Sequence, residues 1–120
     1  MAESPQRLNI TEKKDVRVVE FVDNKILDEA NIKEIGDSLH ALIEAKDRPK
    51  ILLDFMHVDH LSSAALGMLI NLNSKLKQQS GELRLVNIKP QIMEVFVITK
   101  LNKLFRILPT RAEALVSFSP

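Results

Sequence analysis

Apolar and polar positions alternate near the start of the chain. Leu8 and Ile10 sit between polar neighbours, and Val16, Val18, Val19 and Phe21 follow in VRVVEF after the polar stretch EKKD. A period of two rich in β-branched residues predicts two strands joined by a turn at EKKD, an N-terminal hairpin. The period then changes. In DEANIKEIGDSLHALIEA, Ile32, Ile35, Leu39, Leu42 and Ile43 recur at spacings of three and four, the mark of one helix face. Asp28 is placed to cap that helix by accepting a backbone N–H. Asp47-Arg48-Pro49 ends it, because the residue before a proline is pushed out of helical geometry. Gly36, isolated inside the helix, predicts a close packing contact. The short apolar run from Ile51 to Phe55 predicts a central strand covered on both faces.

A second helix is expected from Ser63 to Gln79, stopped by Gly81 in a left-handed conformation. ELRLV, Glu82 to Val86, reads as a strand. Pro90 suits the first turn of a third helix, where its missing N–H costs nothing, with Ile92, Val95, Phe96 and Thr99 facing the core. Phe105 to Leu108 predicts a final strand. Thr110 with Glu113 fits a capping box before a last helix carrying Ala114 and Leu115. A hairpin followed by alternating strands and helices predicts the α/β class. The expected architecture is a mostly parallel mixed sheet of about five strands with an antiparallel N-terminal edge and about four helices. One domain over residues 8–117 is expected, between a flexible N-terminus (1–7) and a C-terminal tail (118–120).

Composition narrows the chemistry. The 120 residues fit one domain with its own core, and 45% apolar with 28% charged residues is the balance of a soluble globular protein. With 17 basic and 16 acidic residues the net charge of +1 gives no general pull toward nucleic acid or anionic membranes. There is no cysteine, which excludes disulfides, thiolate metal sites and cysteine catalysis. No apolar run is long enough for a membrane span, and MAESPQR lacks the apolar centre of a signal peptide, so the expected location is the cytoplasm.

The stretch HLSSAALG, His60 to Gly67, lies where a strand hands over to a helix. In open α/β sheets, sites gather beyond the carboxyl ends of strands. One of the two serines is expected to cap the helix. The same geometry would carry a phosphate, because a helix N-terminus offers free N–H groups and partial positive charge. A nucleophilic serine is poorly supported. Leu61 and Ala65 stand where a G-x-S-x-G elbow needs glycines. His57, Asp59 and His60 invite a metal, but further ligands are missing from the neighbourhood and a polar loop is the simpler reading. There is no phosphate-binding or dinucleotide-binding glycine motif, and no cofactor is expected. Lys100, Lys103 and Arg106 form a basic cluster near Phe105. Without tyrosine or tryptophan to stack bases, they read as a solvated edge or a contact for an acidic partner, not as a nucleic-acid site.

These residues also resemble a family. ILDEANIKEI, ILLDFMHVDHLSSAALGMLI and VNIKPQIMEVFVITKLNKLFRI occur in the order and spacing of the STAS domain, found in sulphate transporters and anti-sigma factor antagonists, and the resemblance covers the chain after about Leu8. Aligned on Leu66-Gly67, Ser63 falls on the family's phosphorylated serine. Ser62 stands in place of the preceding aspartate, Ala64 in place of a second serine and Ala65 in place of the first motif glycine. The resemblance implies a phospho-regulated switch and not an enzyme. The unmodified antagonist binds an anti-sigma factor that is also a serine kinase; phosphorylation at Ser63 from ATP releases it, and a serine phosphatase resets it. The expected partner surface is Asp28, His57, Asp59, His60, Ser62, Ser63 and, if it faces outward, Met68. A non-phosphorylated STAS scaffold or accessory subunit of a signalling or lipid-transport complex is the alternative implied. Neither reading fixes the oligomeric state.

Overall fold

A computed structural model describes residues 8–118. The hairpin opens the fold: β1 (Leu8–Lys13) runs antiparallel to β2 (Val16–Phe21), with Lys13 opposite Val16. The turn is shorter than EKKD. Only Lys14 and Asp15 form it, both at positive φ (49° and 74°), the geometry of a two-residue turn that matches strand twist. Asp15 tolerates this conformation and is anchored by Lys46 at 2.5 Å.

A short β3 (Lys25–Ile26) precedes α1 (Glu29–Glu44), which leads to β4 (Lys50–Asp54). Another short strand, β5 (His60–Leu61), enters α2 (Ser63–Gln78). Then come β6 (Glu82–Val86), α3 (Pro90–Ile98), a 3₁₀ turn at Leu101–Lys103, β7 (Ile107–Leu108) and α4 (Arg111–Ser117). The main sheet has the order β1-β2-β4-β6-β7, parallel except for the β1–β2 pair; β3 and β5 form a separate two-stranded parallel sheet. The expected α/β architecture of a five-stranded mixed sheet with four helices is present.

Strand alternation divides the core. Val19, Phe21, Ile51, Leu53, Leu83 and Leu85 face α1, α2 and α3 in the larger cluster. Val16, Val18, Leu52 and Val86 face α4 through Ala114 and Phe118. Phe21, Phe55, Phe96 and Phe105 run in a chain through the larger cluster, with successive ring centroids 4.9, 6.3 and 5.9 Å apart. Such tilted and edge-on contacts add to the area the rings bury.

Several local expectations are corrected. Asp28 occupies the N-cap position of α1, but its side chain makes no capping bond. Ser80, not Gly81, takes the left-handed conformation after α2 (φ 57°). Gly81 is needed for space: a β-carbon there would lie 2.6 Å from the Pro49 carbonyl oxygen. Thr99 is exposed, and its hydroxyl donates to the Val95 carbonyl at 2.7 Å instead of entering the core. The last strand keeps only Ile107–Leu108 of the expected Phe105–Leu108. Phe118 is buried, with the Arg84 guanidinium 4.7 Å from its ring centroid, so packing continues into the expected tail. Residues 1–7 and 119–120 lie outside the described residues. Gly36 does admit a close neighbour, since a β-carbon there would meet Met68 Cγ at 3.2 Å. No helix among the described residues is long and apolar enough to cross a membrane.

Candidate functional site

Two strands too short to show a period build this end of the molecule. Lys25 pairs with His60 and Ile26 with Leu61. Backbone N–H groups of Asp59 and His60 donate to the Asn24 carbonyl at 2.7 and 3.1 Å, and that of Ser62 to the Ile26 carbonyl at 3.1 Å. The approach to α1 and the approach to α2 are thereby laid side by side. Asp28, Asp59, His60, Ser62 and Ser63 come to one lip beyond the carboxyl ends of the strands, together with exposed Leu27.

The two serines divide the work. Ser62 is the N-cap of α2: its backbone is extended, and its Oγ accepts from the Ala65 N–H at 3.2 Å. This satisfies one of the amides that a helix start leaves without an acceptor. Ser63 is the first helical residue and is exposed, while Ala65 is fully buried in the core. The Ser63 hydroxyl therefore stands in solvent beside the remaining free amides of the first turn. No acidic residue lies in that turn.

Asp59 is held by Lys89, whose Nζ meets Oδ1, while Asn24 Nδ2 donates to Oδ2 at 3.5 Å. The Lys89 hydrogen bond holds the Asp59 carboxyl below its ordinary value. His57 turns elsewhere, placing Nε2 3.3 Å from Glu20 Oε2. Glu20 also lies 3.5 Å from Arg111 Nη2, and Arg111 Nε donates to Asp54 Oδ2 at 2.5 Å. Asp54 is fully buried, and its other oxygen accepts from the Met56 N–H at 2.9 Å and Asn87 Nδ2 at 3.1 Å. Glu20 and Asp54 are register partners on neighbouring strands, so one arginine at the start of α4 serves both acids.

Thus His57 and Asp59 diverge and do not share a ligand. Met68 is half-buried between α2 and Gly36 of α1, a turn and more below the serines. Reading the residues alone missed Asn24, Lys89 and the Asp54–Arg111 link. Lys89 had one signal, its position just before the helix-starting Pro90, beyond the carboxyl end of a predicted strand. Asp54 had another, an acid closing an apolar strand and so requiring a buried partner.

A family model described as STAS domain matches residues 7–114. BtrV of Bordetella bronchiseptica, which carries the name of an anti-sigma factor antagonist, is 30% identical over 93 residues, covering 78% of this chain and 79% of BtrV. A STAS domain protein from Planctomyces limnophilus, described as an anti-sigma-factor antagonist, superposes with a TM-score of 0.83 at 23% identity, over 92% of this chain and 96% of that one. The Bacillus cell fate determinant SpoIIAA, solved in its phosphorylated form, superposes with a TM-score of 0.67 at 19% identity, over 90% of this chain and 96% of that one.

Proposed function

This chain belongs to the STAS domain family, and from that membership we propose that it is an anti-sigma factor antagonist working as a phospho-regulated binding switch with Ser63 as acceptor. One observation carries the choice of residue. Ser62 spends its Oγ on the helix cap, and Ser63, one position on, leaves its hydroxyl exposed. The name of BtrV and the phosphorylated SpoIIAA support the same reading.

The unmodified lip is the partner surface. Asp28, His60, Ser62 and Ser63 form its centre, His57 and Asp59 its edge toward the β4–β5 connection, and the half-exposed part of Met68 its continuation along α2. Exposed Leu27 and Met56 supply apolar area to bury. A phosphate on Ser63 carries about −1.5 to −2 charges at neutral pH. The free amides of the first turn and the helix dipole accept that charge without unfolding α2. A closely packed partner does not, because the dianion must be desolvated beside Asp28 and Asp59. The partner is an anti-sigma factor with serine kinase activity, ATP is the kinase's substrate, and a serine phosphatase restores the binding form. In this scheme the chain is a cytoplasmic kinase substrate without catalysis of its own, and it neither binds nucleic acid directly nor inserts into a membrane.

The test begins with affinity capture from the source cell. Captured kinases are incubated with the protein and ATP, and phosphopeptides are mapped by mass spectrometry. The expected result is one phosphate on Ser63, absent in Ser63→Ala and retained in Ser62→Ala. Phosphate on Ser62, or none with any captured kinase, contradicts the proposal. Capture of a transporter ATPase without a kinase supports the scaffold reading instead.

A further inference from the structure

At the far end of α2, β7 is too short to cover its neighbour. It pairs only with Leu85 and Val86, so Glu82, Leu83 and Arg84 have no strand beside them on that edge of the main sheet. A cavity of about 180 Å³ opens there, lined by Asn73, Lys77, Glu82, Arg84, Leu104 and Arg106 among others. Two features of its lining suit an anionic occupant. Asn73 is 8% exposed, and its side-chain amide makes no hydrogen bond to any described residue. Arg17 Nε is the one fully buried side-chain nitrogen or oxygen without a partner among the described residues, so the Asn73 amide atoms reach the solvent of the cavity, where a bound polar group can meet them.

The second feature is charge. Glu82 pairs with Arg84 at 3.0 Å. Lys77 and Arg106 have no ion pair among the described residues. Burial holds the Arg84 guanidinium below its ordinary value, opposed by Glu82 and reinforced by Arg106. The cavity therefore has an excess of positive charge, one carboxylate already committed, and an amide with donors to spare.

We propose that this cavity is a binding site for an oxyanion, a phosphate or carboxylate group, held by the Asn73 amide with Lys77 and Arg106. Lys77 lies fourteen residues along α2 from Ser63, roughly 21 Å at a rise of about 1.5 Å per residue. The site is separate from the serine lip and does not rest on the phosphorylation reading. The oxyanion is either a small solute or an acidic side chain presented by a protein.

The test is a ¹H–¹⁵N NMR titration of the full chain with inorganic phosphate, succinate or hexaglutamate, each against sodium chloride at matched ionic strength. At least one oxyanion probe is expected to shift the Asn73 side-chain amide and the Gly81 and Arg106 backbone signals saturably, and chloride is not. Binding of phosphate or succinate assigns a small solute; binding of hexaglutamate alone assigns an acidic side chain. The midpoint should rise at least tenfold in Lys77→Ala and in Arg106→Ala, both exposed positions outside the core, and should be unchanged in Ser63→Ala. No saturable shift with any probe, an equal response to chloride, or midpoints unmoved in both cavity variants would overturn the site and leave only a water-filled gap.

Discussion

Ser62 and Ser63 differ by one residue and by their whole environment. The sequence permits either as the helix cap, because serine is favoured there and both precede the apolar face. The core decides: burying Ala65 and Leu66 turns Ser63 and Ala64 outward and leaves Ser62 at the cap. Ser62→Ala should then cost about 1 kcal/mol of stability, the usual worth of a serine cap, whereas Ser63→Ala should stay within about 0.5 kcal/mol, as exposed substitutions do. Chemical denaturation of the two variants separates these outcomes; equal losses contradict the division of roles. Asp59 offers a second check. Its hydrogen bond from Lys89 depresses the folded-state pKa below the ordinary 3.8. A depressed carboxyl adds stability above its unfolded pKa and loses it as pH falls through the folded one. An NMR titration should place the Asp59 midpoint below 3.8 in the native protein and raise it in Lys89→Ala; an unmoved midpoint shows that Lys89 is not its cause.

Elements with a strong period were legible: α1, α2 and the central strands follow from where apolar residues recur. The two-residue strands β3 and β5 were not, since two residues define no period and pair only because the chain on either side holds them together. That pair builds the lip, so half of the candidate site was hidden with it. The Asp54–Arg111 link was equally invisible, joining residues 57 positions apart. It fixes the start of α4 to the end of β4. Arg111→Ala should destabilise by about 1–3 kcal/mol, the cost of leaving a buried group short of a partner, because the Arg111 side chain is itself 36% exposed and Asn87 and the Met56 amide still serve Asp54. Gly81 shows the other failure. A glycine after a helix suggests a left-handed residue, yet here it makes room for Pro49. Gly81→Ala should cost about 1–3 kcal/mol as overpacking, read as a lower urea midpoint at unchanged slope. A neutral effect contradicts the close approach.

At the scale of the whole molecule, one sheet carries two chemically different ends. Beyond the carboxyl ends of its strands lies an acidic and apolar lip with an exposed serine on a helix start; at the opposite end of α2 lies a cationic cavity. The fold class and the location of the serine stretch were legible because strand–helix alternation fixes where loops emerge. Which side chains meet in those loops was not, because long-range pairs such as Lys89 with Asp59 leave no periodic trace. In the proposed function, Ser63 is a charge gate on a binding surface. The most direct measurement compares the affinity of the captured partner kinase for the unmodified protein and for protein carrying phosphoserine only at position 63. The phosphorylated form should bind at least a hundredfold more weakly, equivalent to about 2.7 kcal/mol, with the fold retained by circular dichroism. Equal affinities, or tighter binding of the phosphorylated form, would contradict the gate.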